Sequence, residues 1–354
     1  MNKLYSNLKY LRHAEQLEAW RRNSVVAPIH VRIKPINHCN HNCWYCAYRF
    51  DNLKLGEDMV ESDILPKEKA LEIVEDLIDM KVKAVTFSGG GEPLIYKPLP
   101  DVIERLAGGG IRVASLTNGA NLKGRMAEAF ARFGTWVRVS MDGWDNDSYV
   151  KAREARPGEF DQIIENMRLF VASKTKCVLG VCFIIDENNC AHIHEICRLL
   201  KDIGVNHVKL SGAIIANNPT TVNDYHNKFK EITNEQIKKA QALSDASFSV
   251  LDHYHDLDSR FTKDYTICPY LQYLTVIGAD CRVYTCQDKA YTESGILGSI
   301  KDRSFKEFWF SEENRQAIYA LNPSKSCGHH CVSNAKNLSI LEFLTIDPDH
   351  AVFV

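Results

Sequence analysis

The residues of this chain that are best suited to chemistry lie in the stretch HCNHNCWYCAYR at 38–49, where three cysteines fall within eight residues. They are spaced C-x3-C-x2-C: Cys39, Cys43 and Cys46. A structural zinc site normally takes four ligands, and His38 and His41 are the nearest additional candidates. An iron–sulfur cluster held by only three cysteines leaves one iron open, and an open iron can bind a small molecule. The spacing alone is compatible with both kinds of metal site.

A second candidate site is the glycine-rich segment SGGGEPL at residues 88–94. Glycines let a backbone approach a ligand closely, so its carbonyls and amides can meet an ammonium or carboxylate group. Glu92 adds a carboxylate that can accept a charge-assisted hydrogen bond from a ligand amine. Asn118 in TNG and Asp142 in SMDG follow later strands, and either contacts with a ligand or local turn chemistry would explain them.

The other nine cysteines form two groups. Four scatter over a predicted strand and helix, where burial in the core is the usual role of cysteine: Cys177, Cys182, Cys190 and Cys197. Five lie in the last third of the chain: Cys268, Cys281, Cys286, Cys327 and Cys331. The run LTVIGADCRVYTC at 274–286 predicts a β-hairpin that turns at Gly-Ala-Asp.

The elements that must position these residues alternate between short β-rich runs and amphipathic helical runs. Six strands are predicted, at 30–36, 84–89, 112–117, 136–142, 177–185 and 207–215. Helices predicted between them imply parallel strands with right-handed crossovers, and hence a partial (β/α)6 TIM-like barrel of the α/β class. In such folds the loops after the strands build the active site, so the cysteine loop and the glycine segment should share one edge of the sheet.

Composition narrows the setting. The 354 residues include 43 basic and 45 acidic side chains, and the net charge of -2 favours neither nucleic acid nor an anionic membrane as a partner. No signal peptide is recognisable at the N-terminus, and the longest apolar stretch, 177–185, is too short to span a bilayer. We therefore expect a cytoplasmic protein, whose reduced cysteines serve as metal or cluster ligands.

These motifs together resemble the radical S-adenosylmethionine (radical SAM) superfamily. The cysteine triplet, with aromatic Tyr45 before its third cysteine, is similar to that family's cluster motif, and so is the GGEP segment: Gly89, Gly90, Gly91, Glu92 and Pro93. The resemblance implies a [4Fe-4S] cluster whose open iron binds the amino and carboxylate groups of SAM. Reduction would then cleave SAM to a 5′-deoxyadenosyl radical that abstracts hydrogen from a substrate.

The resemblance also assigns roles to residues after the fourth strand. Ser140 would hydrogen-bond the ribose of SAM, and Arg153 would reach its carboxylate. A satisfied strand-end hydroxyl and a surface salt bridge are the structural alternatives. Asn118 faces the same site by its position in the chain.

The last third of the chain resembles the auxiliary-cluster region called a twitch domain, a shortened SPASM domain of α+β structure. The resemblance implies one auxiliary [4Fe-4S] cluster on four of the late cysteines, with Cys281 as an alternative ligand or a bystander: Cys268, Cys286, Cys327 and Cys331. Zinc on the same four thiolates is the competing assignment. The expected organisation is an N-terminal helical extension, the barrel, a connector with a helix, and the auxiliary domain with a tail: 1–29, 30–216, 217–262 and 263–354.

The substrate is less constrained. Only 29 residues precede the first strand, and Leu4, Leu8 and Leu11 in them have helical spacing. Without a recognition domain, a small substrate is favoured, such as an aminoglycoside, a nucleotide sugar or another sugar derivative, undergoing dehydrogenation or epimerisation.

In that chemistry Cys182 would be a hydrogen donor and Asp142 a substrate contact, and a flavodoxin or ferredoxin would be the reductant. The alternatives are a peptide-modifying radical SAM enzyme, such as a peptide epimerase, and a non-catalytic iron–sulfur or zinc protein. A structural metal site does not require the ordered set of triplet, GGEP segment and strand-four serine, which argues against the non-catalytic protein.

Overall fold

The N-terminal segment packs through aromatic side chains in the computed structural model, which describes residues 5–50, 53, 55–255, 261–347 and 349–353. It forms a 3-10 helix, Asn7–Arg12, and helix α1, Ala14–Arg21. The expected leucine stripe is not the packing face, because Leu8 and Leu11 are 55% and 50% exposed, and Leu4 lies outside the described residues. Tyr10 and Trp20 are buried instead.

The centre of the molecule is a parallel sheet whose strands follow one another in chain order. All six predicted strands are present, and a seventh that the sequence did not predict follows them: β1 His30–Ile33, β2 Ala84–Phe87, β3 Arg112–Thr117, β4 Gly134–Ser140, β5 Val178–Ile185, β6 His207–Gly212 and β7 Ser249–Asp252. The parallel pairing confirms the partial-barrel arrangement, and it brings the loops after these strands to one edge of the sheet.

Helices cover one face of this sheet. They are α2 Lys67–Asp79, α3 Leu99–Gly108, α4 Gly124–Phe133, α5 Asn146–Arg153, α6 Glu159–Ala172, α7 Ile193–Ile203, α8 Pro219–Asn227 and α9 Lys230–Gln241. Helix α2 shows why they lie there, since Ala70, Ile73, Val74 and Leu77 recur at helical spacing and are all buried. Helix α5 was not predicted; Asp145 and Ser148 form a capping box at its start.

The strands alternate between two environments. In β1, Val31 and Ile33 are buried in the main apolar core, whereas His30 and Arg32 face the other way and remain partly exposed. The face of the sheet opposite the helices is called the lumen below. Each strand therefore has an apolar side that faces the helices and a second side, facing the lumen, that can carry polar residues.

The C-terminal region extends the same sheet. Strand β8, Leu274–Ile277, pairs in parallel with β1, and β9, Arg282–Tyr284, and β10, Ile296–Ser299, continue in antiparallel order. The predicted hairpin is therefore confirmed, and it forms one edge of a ten-stranded sheet. Four helices follow it: α10 Phe305–Trp309, α11 Glu312–Ala320, α12 Pro323–Ser326 and α13 Asn334–Leu344.

The segment 217–262, expected to be a connector with one helix, contains more secondary structure than that. It contains α8, α9 and β7, and β7 adds to the edge of the sheet beside β6. The expected division of the chain into four segments stays a prediction. None of the described helices combines the length and apolar character needed to cross a lipid bilayer.

Candidate active site at the carboxyl edge of the sheet

The cysteine loop directly follows β1, at the carboxyl edge of the sheet. The Cys39 thiol accepts a hydrogen bond from the His41 amide at 3.5 Å, and the Cys46 amide donates to the Cys43 carbonyl at 3.0 Å. Burial raises the pKa of the Cys39 thiol to about 12, and burial also raises that of Cys43. Without a metal these two groups are therefore thiols at neutral pH, and a bound metal would hold them as thiolates.

Ligand spacing tests whether zinc or a cluster fits this loop. Four sulfurs around one zinc lie about 3.8 Å apart, given Zn–S bonds of about 2.3 Å. Within the described part of the chain, only one group of three potential ligand atoms lies within 4.8 Å of one another, and it does not include the loop cysteines. His41 lies 3.4 Å from Glu159, and exposed His38 lies 3.1 Å from Glu61. The three loop thiols are therefore not spaced as ligands of a single zinc ion.

A buried ion pair ties this loop to the end of β4. Arg153 donates to the Asp142 carboxylate and approaches the Cys43 thiol at 3.6 Å. The same carboxylate accepts the Tyr45 hydroxyl, and it accepts the Ile184 amide at 2.8 Å. These bonds engage the Asp142 carboxylate inside the protein, where the residue is 1% exposed, and its contact with substrate stays a prediction. Arg153 lies against a proposed cluster ligand and is not on the surface.

The glycine segment packs directly against the cysteine loop. The Gly91 amide donates to the Ile36 carbonyl and the Glu92 amide to the His38 carbonyl, both at 3.0 Å. A Cβ atom on Gly91 would clash with the His38 carbonyl oxygen, and one on Gly90 would clash with the side chain of Asn37. Only glycine therefore allows these two backbones to lie together.

The Glu92 side chain joins the ends of two strands. Its carboxylate accepts the Thr117 hydroxyl at 2.6 Å, the Asn118 amide at 2.7 Å and the Leu94 amide at 3.0 Å. Burial raises its pKa despite these donors. These donors engage the Glu92 carboxylate inside the protein, and its contact with a ligand amine stays a prediction. Pro93 begins the 3-10 helix that Glu92 caps, Pro93–Ile95.

Asn118 and Ser140 differ in how far they are engaged. The Asn118 side chain donates to Asn40 of the cysteine loop at 2.9 Å and accepts the Ala120 amide at 3.0 Å, which is turn chemistry that also steadies the loop. Ser140 faces the lumen beside Cys182, its partner in the β4–β5 register. Within the described residues no hydrogen bond to the Ser140 hydroxyl is formed, so it is open to a ligand.

A second cysteine group lies in the C-terminal region. Four thiols line one cavity: Cys268, Cys286, Cys327 and Cys331. Burial raises the pKa of Cys268 and of Cys331 to about 12. Cys281 does not line this cavity; it lies in the turn between β8 and β9, and its side chain belongs to the main apolar core. The structure thus separates Cys281 from the other four late cysteines.

Polar groups surround this second cavity. Lys263 and Lys289 line it, and the Asn337 amide donates to the Cys268 thiol at 3.4 Å. Two residues that sequence reasoning did not propose as ligands, Asp288 and His329, converge with Cys286 to within 4.8 Å. Each of them lies within two residues of a late cysteine in the sequence, and this proximity could have identified them as candidate ligands.

Lys34 is the other residue that sequence reasoning missed, and it lies between the two cysteine groups. It follows β1, is 1% exposed, and donates to the Tyr48 hydroxyl at 2.5 Å and to the Gly89 carbonyl. Burial, and next the charge of Arg32, lower its pKa to about 7, whereas Cys46, Cys286 and nearby acids oppose the shift. The Tyr48 hydroxyl also donates to the Gln287 carbonyl at 3.0 Å, next to Cys286.

Two family models match the regions of the chain that contain the two cysteine groups. A model described as the radical SAM superfamily matches residues 33–200, from β1 to α7, and so covers the cysteine loop and the glycine segment. A model described as an iron-sulfur cluster-binding domain, SPASM, matches residues 268–332, which include the four cysteines of the second cavity.

Individual proteins match over shorter stretches. The S-adenosylmethionine-dependent nucleotide dehydratase of Lacinutrix mariniflava is 28% identical over 144 residues, 40% of this chain and 30% of that protein. The GTP 3′,8-cyclase of Thermodesulfovibrio yellowstonii is 32% identical over 140 residues, 39% of this chain and 42% of that protein. The chain therefore spans less than half the length of these curated relatives.

Among solved structures, Streptococcus suis SuiB bound to the precursor peptide SuiA has a similar fold. The TM-score is 0.63 at 14% sequence identity, and the match covers 94% of this chain and 79% of that one. An identity this low shows a common fold only.

Proposed function

Since the chain belongs to the radical SAM superfamily and carries a C-terminal SPASM-type region, we propose that it reductively cleaves SAM and uses the resulting 5′-deoxyadenosyl radical to abstract hydrogen from a small substrate. Membership implies a [4Fe-4S] cluster and SAM as cofactors, and auxiliary iron–sulfur binding in the C-terminal region. The observation that carries the proposal is the packing of the cysteine loop against the glycine segment at one edge of the sheet.

The chain's own residues divide the work at this edge. Three thiolates hold the cluster: Cys39, Cys43 and Cys46. Tyr45 and Arg153 fix the loop through Asp142, and Arg153 also places a positive charge beside a cluster sulfur. The backbone of Gly89, Gly90 and Gly91 would meet the amino group of SAM. The free hydroxyl of Ser140 would bind the ribose.

Four cysteines hold the auxiliary cluster in this proposal: Cys268, Cys286, Cys327 and Cys331. Their shared cavity supports the assignment, and the placement of Cys281 in the apolar core supports its role as a bystander. The buried Lys263 and Lys289 balance the negative charge that four thiolates bring. One auxiliary cluster is the number that these ligands supply.

The proposed substrate is a sugar derivative, of which a nucleotide sugar fits best, undergoing dehydrogenation or epimerisation. Two relatives are named for reactions of nucleotides, which supports a nucleotide-containing substrate. Cys182 faces the lumen between Ser140 of β4 and Lys209 of β6, where a thiol can return a hydrogen atom to a substrate radical. A peptide substrate is the second candidate, favoured by the fold shared with peptide-bound SuiB.

The setting of the reaction is part of the proposal. All twelve cysteines are unpaired, as expected in a reducing compartment, and we place the protein in the cytoplasm. A flavodoxin or ferredoxin would supply the low-potential electron.

The test is anaerobic reconstitution followed by iron and sulfide counting, with a dithionite and SAM assay for 5′-deoxyadenosine. We expect about eight irons per chain and 5′-deoxyadenosine. The variant Cys39→Ala/Cys43→Ala/Cys46→Ala should retain about four irons and form no 5′-deoxyadenosine. Cys197→Ala, which removes a buried thiol from helix α7, should behave as the parent. Iron at full content without any 5′-deoxyadenosine would favour the structural, non-catalytic protein.

A further inference from the structure

Basic side chains gather in the lumen of the partial barrel. Four basic side chains occupy lumen positions on β1, β4 and β6 or directly after β1: Arg32, Lys34, Arg138 and Lys209. The assignment follows from the alternation of the strands, since the residues next to Arg32 and Arg138 in sequence are valines and an isoleucine of the main core. A lumen that held only a neutral ligand would not need this charge.

Contacts made by Tyr5 show that lumen side chains from distant strands converge. Its hydroxyl hydrogen-bonds His207 of β6 at 3.0 Å and accepts from Arg138 of β4 at 3.3 Å. Its ring also packs edge-on against His253, beyond the end of β7. In a flat sheet β4 and β7 would lie about 14 Å apart. The sheet is therefore curved, and its lumen residues surround one space.

Arg32 and Arg138 face this space, and neither forms an ion pair with a carboxylate in the described part of the chain. No carboxylate of the described residues lies within 4.0 Å of either guanidinium. Both Nε atoms are buried without a hydrogen-bond partner, as are the hydroxyls of Ser88 and Ser211 on neighbouring lumen positions. Burial, and next the charge of Arg138, lower the pKa of Arg32, which is the effect expected of two cations facing each other. Uncompensated charges of this kind are costly unless an anion joins them.

The remaining titratable groups do not reverse this balance. Burial lowers the pKa of His30 to about 3 and that of His207 to about 4, so both imidazoles are neutral at physiological pH. Asp288 acts on Arg32 and Lys34 from the side of the auxiliary cysteines, beyond ion-pair distance. Neither of these imidazoles nor Asp288 therefore forms an ion pair with Arg32 or Arg138.

We propose that Arg32 and Arg138 bind an anionic group of the substrate, a phosphate or a carboxylate, inside the lumen. A guanidinium presents parallel N–H donors that match the paired oxygens of both groups. The inference rests on the proposed function, because it concerns the substrate of the same site. It narrows the substrate class: a nucleotide sugar carries the required charge, whereas the amino groups of an aminoglycoside would be repelled.

The test is anaerobic calorimetry on the reconstituted full chain with SAM, using uridine 5′-diphosphate, uridine and citrate as probes. We expect uridine 5′-diphosphate to bind at least about tenfold more tightly than uridine, with an affinity that falls as salt rises. Tighter binding of citrate than of the diphosphate would identify a carboxylate as the anion. If neither anion binds more tightly than uridine, the proposal is wrong.

Variants locate the binding. Arg32→Gln and Arg138→Gln should each weaken anion binding at least about tenfold. The replacements Arg32→Lys and Arg138→Lys should weaken it less, because lysine keeps the positive charge but lacks the paired N–H donors of the guanidinium. Arg198→Gln, which removes the same charge from the exposed face of helix α7, should bind as the parent does. Equal affinities for Arg138→Gln, Arg138→Lys and the parent would overturn the assignment even if an Arg32 variant fails to fold.

The two proposals fail separately. A parent protein that forms 5′-deoxyadenosine from SAM but shows no anion preference refutes only the lumen site. A protein that binds anions through Arg32 and Arg138 but never cleaves SAM refutes the proposed reaction and leaves the binding site standing.

Discussion

The ion pair between Asp142 and Arg153 shows what a single buried contact contributes to the cluster loop. The two side chains are 0% and 3% exposed, and Arg153 reaches both the loop and the end of β4. Removal of one partner from such a pair leaves the other charge buried and uncompensated, which costs more than the pair itself contributes. The loop should therefore depend on both charges together.

The variant Asp142→Asn should lower the free energy of unfolding by about 3–5 kcal/mol, because Arg153 keeps its charge without a counter-ion. Denaturant unfolding of the cluster-free protein measures the change. The double variant Asp142→Asn/Arg153→Met should be more stable than the single one, since no charge is left alone. A double variant less stable than both single variants would contradict this account.

Lys34 makes stability depend on pH. The folded chain releases this proton near a pKa of about 7, against 10.5 in the unfolded chain, because of burial and then Arg32. Between these values the unfolded chain holds more protons, so stability rises with pH by up to about 1.4 kcal/mol per unit, and it is lost as the pH falls. Relative to the parent, Lys34→Met should gain stability as the pH falls through this window. If the free energies of unfolding of the parent and of Lys34→Met change with pH in parallel, Lys34 does not cause this dependence.

The late cysteines offer a matched pair of substitutions. Cys286→Ser should lower the iron of the reconstituted protein, because this residue lines the shared cavity. Cys281→Ser should retain the parent's iron content, since its side chain lies in the apolar core. Iron analysis after anaerobic reconstitution compares them, and equal losses would restore Cys281 as a ligand.

At the scale of elements, the glycine segment and the cysteine loop behave as one unit. Gly91→Ala should abolish 5′-deoxyadenosine formation, because the added methyl group clashes with the His38 carbonyl and displaces the loop. Gly108→Ala is the control: it lies at the end of α3 with nothing within 4 Å of the added atom, so activity should be retained. Full activity of the Gly91 variant would show that the close packing of the two segments is not needed for SAM cleavage.

The elements were more predictable from the sequence than the roles of polar residues were. Alternation and helical spacing identified six strands, and C-x3-C-x2-C with GGEP identified the edge of the sheet that carries the site. The internal partners of Glu92 and Asp142 could not be predicted, because distant strands bring the donors to these carboxylates. Lys34 and Asp288 were missed for the same reason, since burial between two loops leaves no local pattern.

At the scale of the whole molecule, β1 is the strand that both halves share. It pairs with β2 on one side and β8 on the other, and the cysteine loop follows it directly. The auxiliary region therefore supports the first cluster site through backbone hydrogen bonds, in addition to holding its own cysteines.

A chain shortened to residues 1–262 should consequently lose iron from the first site as well. Its β1 would become an exposed edge without β8, and the loop after it would lose the Tyr48–Gln287 contact. The matched comparison is the full-length Cys286→Ser variant, which should keep about four irons and form 5′-deoxyadenosine. Retention of four irons by the shortened chain would show that the barrel is self-sufficient.

The hydrogen bond from Tyr48 to Gln287 also bears on how the protein matures. It joins a residue two positions after one proposed ligand to the neighbour of another, so filling either site orders the loop that the other site needs. Filling one site should then raise the affinity of the other without being required for it, so half-loaded parent molecules should be scarce at intermediate iron supply. Tyr48→Phe should uncouple the two insertions and let singly loaded molecules accumulate, which native mass spectrometry can count.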